Sequence, residues 1–206
     1  MKKYSIYTFA ILVALVLFPG CAIKKDSMVI NTGSVQPGGV VQKGDMQLQL
    51  IGSPVEVGKP LPDVVLTDAL TMTPFSLNDL RGKVVVLSIV PSIDTKVCEA
   101  QTHYLGEEGD RLPADILRVT ISRDTPFAQK RFAEAAKLTD IKYLSDHRDA
   151  SFGMATGLLI DKNRLLARSI LVVDKTGTLR YFQVLPQLGE LPDMERAFNV
   201  AISLNK

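Results

Sequence analysis

Cys98 lies seven residues after Pro91 and three after Thr95, in the stretch PSIDTKVC that follows the apolar run KVVVLSIV. The reactive form of cysteine is the thiolate. A thiol in the first turn of a helix meets free backbone N–H groups and the positive end of the helix dipole, which both favour that form. Thr95, one helical turn earlier, can aim its hydroxyl at the sulfur or at a ligand oxygen beside it. Pro91 fixes the preceding turn and removes one backbone donor. The residue types alone fit nucleophilic chemistry and an inert buried cysteine equally well, because free cysteine is among the most buried side chains.

The nucleophilic reading requires a strand, a loop and a helix in that order. VVVLSIV has the unbroken apolar character of a strand buried on both faces, and the stretch from Thr95 to about Glu108 can be helical. Before it, MQLQLIG and SPVEVG could pair as a hairpin across Gly52-Ser53, followed by a short strand VVLTD. After it come a strand ADILRVTIS, a helix PFAQKRFAEAAKL with Pro126 in its first turn, and a short extended IKYLSD. SILVVDKTGTLRYFQVL reads as two strands joined at Lys175-Thr176-Gly177, and PDMERAFNVAISL as a closing amphipathic helix. This order predicts an α/β, thioredoxin-like domain: an N-terminal β-hairpin, then a central mixed sheet flanked by helices.

The 206 residues carry a net charge of only +2, with Lys and Arg scattered, which argues against nucleic acid as a partner. The opening MKKYSIYTFAILVALVLFPGC has a basic start, an apolar run from Ile6 to Phe18 and a Gly20-Cys21 ending. That order is a signal peptide with a lipobox-like end, and the run is short for a membrane span. The expectation is therefore a signal over residues 1–20, lipidation at Cys21, a flexible tether over 21–45 and a single domain over 46–206. Such a chain would be a lipoprotein of the bacterial cell envelope, anchored to a membrane and facing the periplasm or cell exterior. An uncleaved anchor or a plain secretory signal is the alternative. Lipidated Cys21 would carry a thioether, leaving Cys98 as the one thiol of the mature chain. His103 and His147 have no ligand-like spacing and no Gly-rich phosphate loop occurs, so neither a metal nor another cofactor is expected.

P-x-x-x-T-x-x-C, as it stands over residues 91–98, resembles the peroxidatic motif of the peroxiredoxins. The fuller PSIDTKVCEAQT, with ISRDTPFAQKRF, LSDHRDASFG and LLARSILVVDKTGTLRY downstream, resembles the thiol peroxidase branch, the atypical two-cysteine peroxiredoxins. The resemblance implies a peroxiredoxin-type thioredoxin fold, usually a homodimer, that reduces hydroperoxides with thiol electrons. By position it implies Cys98 as the peroxidatic cysteine, Thr95 as the residue holding the peroxide and Pro91 as the shield of the sulfur. Arg168 would pair with the thiolate and the developing charge. Arg148 fits a supporting role or a structural salt bridge. The chain departs from the pattern at Ala133, where the branch supplies its resolving cysteine. The expected cycle thus uses one cysteine and an external thiol reductant, whether thioredoxin-like, glutaredoxin-like or a small thiol. An unlipidated Cys21 could resolve Cys98 instead. The rival readings are a non-enzymatic redox sensor or docking module, and a copper-handling or disulfide-reducing lipoprotein, which the lack of a paired C-x-x-C disfavours.

Overall fold

The computed structural model describes residues 28–206. Its strands are β1 (Val40–Lys43), β2 (Met46–Ile51), β3 (Val65–Asp68), β4 (Thr73–Ser76), β5 (Val85–Ile89), β6 (Leu117–Ser122), β7 (Lys142–Ser145), β8 (Leu159–Ile160), β9 (Ser169–Val173) and β10 (Leu179–Val184). Its helices are α1 (Lys96–Glu107), α2 (Pro126–Ala136), α3 (Ser151–Thr156) and α4 (Met194–Leu204). Seven strands form one mixed sheet in the order β10-β9-β5-β6-β7-β3-β4, in which β5, β6 and β7 run parallel and the outer strands antiparallel. This is the expected α/β sheet.

Every residue of β5 is buried, because both faces of the sheet are covered. Val85, Leu87 and Ile89 point into one apolar cluster, shared with Leu48 and Leu50 of β2 and Phe152 of α3. Val84, Val86 and Val90 point into the other, with Cys98 and Leu105 of α1, Ala133 of α2 and Phe198 of α4. The period-2 alternation of a strand thus sorts one run of valines into two cores. The helix starts follow local chemistry: Pro126 occupies the first turn of α2, and the Asp193 carboxylate accepts from the Arg196 N–H (2.9 Å) to cap α4.

Two expectations need correction. The hairpin lies one segment earlier than predicted: β1 pairs with β2 around Gly44, whose φ is +59°, and SPVEVG forms no strand. Gly52 is not a turn residue but a point of close approach, where a Cβ would stand 2.3 Å from the Met154 carbonyl oxygen. Nor do residues 28–45 form a tether. The Val29 carbonyl accepts from the Leu191 N–H (2.8 Å), the Val35 N–H donates to Val184 (3.0 Å) and Val41 is wholly buried. The folded domain therefore begins before Met46. The predicted signal, Cys21 and residues 22–27 lie outside the described residues. Among the described residues, no helix is long and apolar enough to cross a membrane.

One carboxylate ties β3, and the turn that follows it, to β7 at the edge of the parallel centre. Asp68, at the end of β3, accepts from the Leu70 and Thr71 N–H groups (2.9 and 3.2 Å) and from Lys142 Nζ on β7 (2.6 Å). Burial pushes this carboxyl up, but the Lys142 ammonium and the two amides outweigh it and hold it below the usual carboxylate range. A depressed folded value means stability that is present above the unfolded pKa of about 3.9 and lost as pH falls through the folded value. Asp68→Asn is expected to cost about 1 to 2 kcal/mol at neutral pH, the scale of charge-assisted hydrogen bonds. In urea titrations that deficit should shrink toward zero below about pH 4, as the wild-type carboxyl protonates.

Candidate active site

Cys98 is the third residue of α1, whose first intrahelical bond runs from the Glu99 N–H to the Thr95 carbonyl (2.8 Å). The sulfur sits where the opening N–H groups and the helix dipole act together. Thr95 Oγ1 donates to Cys98 Sγ at 2.9 Å. Pro91 is buried two residues after the end of β5 and opens the loop that carries Thr95.

Arg168 arrives from a different part of the chain. The antiparallel register sets Ser169 opposite Ile89, so the residue before β9 meets the loop after β5. Arg168 is 2% exposed, and its guanidinium uses three directions: Nη2 to Cys98 Sγ (3.2 Å), Nη1 to Gln101 Oε1 (2.7 Å) and Nε to the Leu188 carbonyl (2.9 Å). Of these three acceptors only the sulfur can carry a negative charge. A buried cation needs such a partner. The arrangement leaves Arg168 aimed at the sulfur and at whatever atom reacts there.

Three supports were not singled out by the sequence reading. Gln101, one turn after Cys98 and fully buried, holds Arg168 through its oxygen and reaches Ser88 Oγ through its nitrogen (2.8 Å). Asp124, just after β6, accepts from Ser92 Oγ (2.8 Å) and the Ile93 N–H (2.6 Å), clamping the loop between Pro91 and Thr95. Both lie in stretches that carried the family resemblance, at Cys98+3 and in ISRD. The third support, Leu188, contributes a main-chain carbonyl that its side-chain type does not announce.

Cys98 is 1% exposed, yet it and Arg168 line a cavity of about 330 Å³ together with Lys43, Pro91, Thr95, Val97, Ile160 and Leu165. With both groups almost wholly buried, they form its floor. The four predicted residues Cys98, Thr95, Arg168 and Pro91 are thus brought together. Arg148 is not: it is exposed, 3.7 Å from Asp149, beside a separate surface depression lined by Thr67 and Ser151. His103 lies at the helix surface against Glu107 (2.7 Å), and among the described residues no group of His, Cys, Asp and Glu is placed to hold a metal. Ala133 is fully buried in α2, in the same apolar cluster as Cys98.

A family model described as Redoxin matches residues 56–198. The thiol peroxidase of Bacillus subtilis (strain 168) is 44% identical over 158 residues, which cover 76% of this chain and 93% of that protein. The thiol peroxidase of Halalkalibacterium halodurans is 42% identical over 154 residues, covering 75% and 92%. Among solved structures, a peroxiredoxin-like protein from Aquifex aeolicus superposes with a TM-score of 0.74 at 28% identity, over 80% of this chain and 96% of that one. A thiol peroxidase from Chromobacterium violaceum superposes with a TM-score of 0.68 over 79% and 94%; at 20% identity it speaks to the fold.

Proposed function

The chain belongs to the thiol peroxidase family of redoxins, and on that premise we propose that Cys98 reduces hydroperoxides in a cycle that uses one cysteine of the domain. The observation that carries the reading is the sulfur held between Thr95 Oγ1 and Arg168 Nη2 on the floor of an open cavity. The Cys98 thiolate attacks the terminal oxygen of the hydroperoxide. The S–O bond forms as the O–O bond breaks, its electron pair leaving on the second oxygen, which takes a proton and departs as alcohol or water. Cys98 is left as sulfenic acid. Thr95 and Arg168 hold the peroxide in line and stabilise the departing oxyanion, the part of the reaction where fixed donors have most effect. Pro91 closes the wall behind the sulfur.

With alanine at position 133, the reducing electrons come from an external thiol. The finer parts of the reading are attachment to the cell envelope through a lipid on Cys21, facing the periplasm or exterior, and assembly as a homodimer. The amino-terminal signal-like pattern supports the first, and the family resemblance the second. Mass analysis of Cys21 and sedimentation of the purified protein test them.

The decisive experiment for activity is a single turnover. Full-length protein carrying Cys21→Ser should consume one equivalent of hydrogen peroxide without added thiol and gain one oxygen on Cys98. A further Cys98→Ser change should abolish both. Equal peroxide loss by the two forms would reject the assignment.

A further inference from the structure

Six residues, 22–27, stand between Cys21 and Met28, the first described residue. The steps from Cys21 to Met28 span at most about 25 Å when fully extended. A folded domain of this size is roughly 40 Å across. The expected tether over 21–45 would have let the domain turn freely beneath its anchor. A leash shorter than the domain is wide does not, and the side on which the chain emerges stays toward the membrane. Main-chain bonds fix that side: the Val29 carbonyl accepts from the Leu191 N–H, and the Asn31 N–H donates to the Leu191 carbonyl (both 2.8 Å). The Asn31 side-chain amide donates to the Glu190 carboxylate. Successive side chains of an extended segment point to opposite faces. Here neither face is covered, for Val29 is 60% and Ile30 59% exposed. Among the described residues they are the one pair of chain neighbours in which both are large, apolar and exposed. Gly189, exposed two residues before Leu191, belongs to the rim of the cavity over Cys98. Along this bonded path it lies within about 15 Å of Val29.

We propose that the domain rests on the bilayer that holds its anchor, with Val29 and Ile30 entering the interfacial layer and the cavity rim at Gly189 beside the contact. The proposal rests on the anchor at Cys21 in the reading above, and not on the chemistry of Cys98. The occupant is a lipid surface because the leash keeps one within reach of this face at high effective concentration. Two apolar side chains bind an interface weakly by themselves, and tethering makes such a contact persist. Val57, at 57% about as exposed as Ile30, supplies the contrast. The N–H of its neighbour Gly58 donates to Leu179 (2.8 Å), at the start of β10. The Val35 N–H meets the opposite end of that strand at Val184 (3.0 Å), about 17 Å away.

The chain has no tryptophan, so Val29→Trp, Ile30→Trp and Val57→Trp each carry a single reporter. Full-length lipidated protein bearing each change is reconstituted into phosphatidylcholine vesicles whose acyl chains carry bromine near the headgroup. Relative to unbrominated vesicles, emission from Val29→Trp and Ile30→Trp should fall about twofold, as suits side chains seated at the headgroup–acyl boundary. Emission from Val57→Trp should not change. Ile30→Asp added to Val29→Trp should restore most of the emission. Equal quenching at positions 29, 30 and 57, or none at 29 and 30, would overturn the proposal, as would quenching at 29 that Ile30→Asp leaves untouched. So would a blue shift of Ile30→Trp emission that grows with protein concentration in a Cys21→Ser background without vesicles, because the face would then be a contact between copies. Intact mass at Cys21 reports separately on the anchor reading. Protein found without lipid is coupled through Cys21 to a maleimide-bearing phospholipid in a Cys98→Ser background, and the same quenching then decides the docking.

Discussion

Arg168→Leu is expected to slow the first turnover with hydrogen peroxide by roughly 10²- to 10³-fold, the loss seen when one preorganised oxyanion donor is removed. Beside the guanidinium, Thr95 Oγ1 donates to the sulfur, and Pro91, Val97, Ile160, Leu165 and Leu188 contribute apolar side chains to the cavity lining. The substitution also leaves Gln101 Oε1 and the Leu188 carbonyl without their donor, each at a cost of about 1 to 3 kcal/mol if no water replaces it. Removing a buried cation offsets part of that cost. Peroxide consumption in the first turnover and the urea midpoint, measured on the same preparation, separate the two effects. Arg168→Lys keeps the charge but not the planar fork that spans three acceptors, so it should recover stability better than rate. A first turnover unchanged in Arg168→Leu would remove the guanidinium from the mechanism.

The second large effect concerns damage. A sulfenic acid without an internal partner is open to further oxidation, to sulfinic and then sulfonic acid. Excess peroxide without thiol should therefore carry wild-type Cys98 through the gain of two and then three oxygens, with activity lost irreversibly. Ala133→Cys restores a sulfur where the family resemblance places one. The change should cost about 1 to 3 kcal/mol, because a single sulfur enters a packed cluster. One equivalent of peroxide should then give a species lighter than the reduced protein by two hydrogens, and excess peroxide should no longer inactivate it. Bridging requires α carbons within about 7 Å. Because both positions are buried and Asp124 clamps the loop before α1, closure should be slower than oxidation and should quicken in Asp124→Ala. Gain of two and three oxygens in Ala133→Cys at the wild-type rate would show that the first turn of α1 does not open.

The four side chains brought together at the sulfur were legible through the family resemblance: type and spacing alone left Cys98 as readily an inert buried cysteine, and Arg168 was named by its place in LLARSILVV. The long elements were legible from residue pattern. β5 is an unbroken apolar run, and α4 repeats Met194, Ala197, Phe198 and Ala201 at helical spacing toward the core. The amino-terminal segment was not legible. Residues 29–44 are fixed chiefly by main-chain bonds to positions 184–191, and such bonds leave no periodic signal in side-chain type. α3 escaped for a related reason. It is six residues long and follows Ala150, a non-glycine residue in the left-handed region, and its N–H groups at Phe152 and Gly153 are held by the Asp146 carboxylate rather than by a side chain at the capping position. Gln101 looked like one more polar residue on a helix until the sheet beneath it supplied Ser88 and Arg168.

The path of that amino-terminal segment has a consequence for how the protein should be handled. The Gln42 N–H donates to Pro186, the Gln42 carbonyl accepts from the Leu188 N–H, and Leu188 in turn receives Arg168 Nε. Two peptide units therefore separate the guanidinium from a stretch of chain that a trimming strategy guided by composition would discard. A protein shortened to Met46 would lose Lys43 from the cavity rim and the splint behind its arginine. Weak turnover by such a fragment would measure the trimming rather than the enzyme.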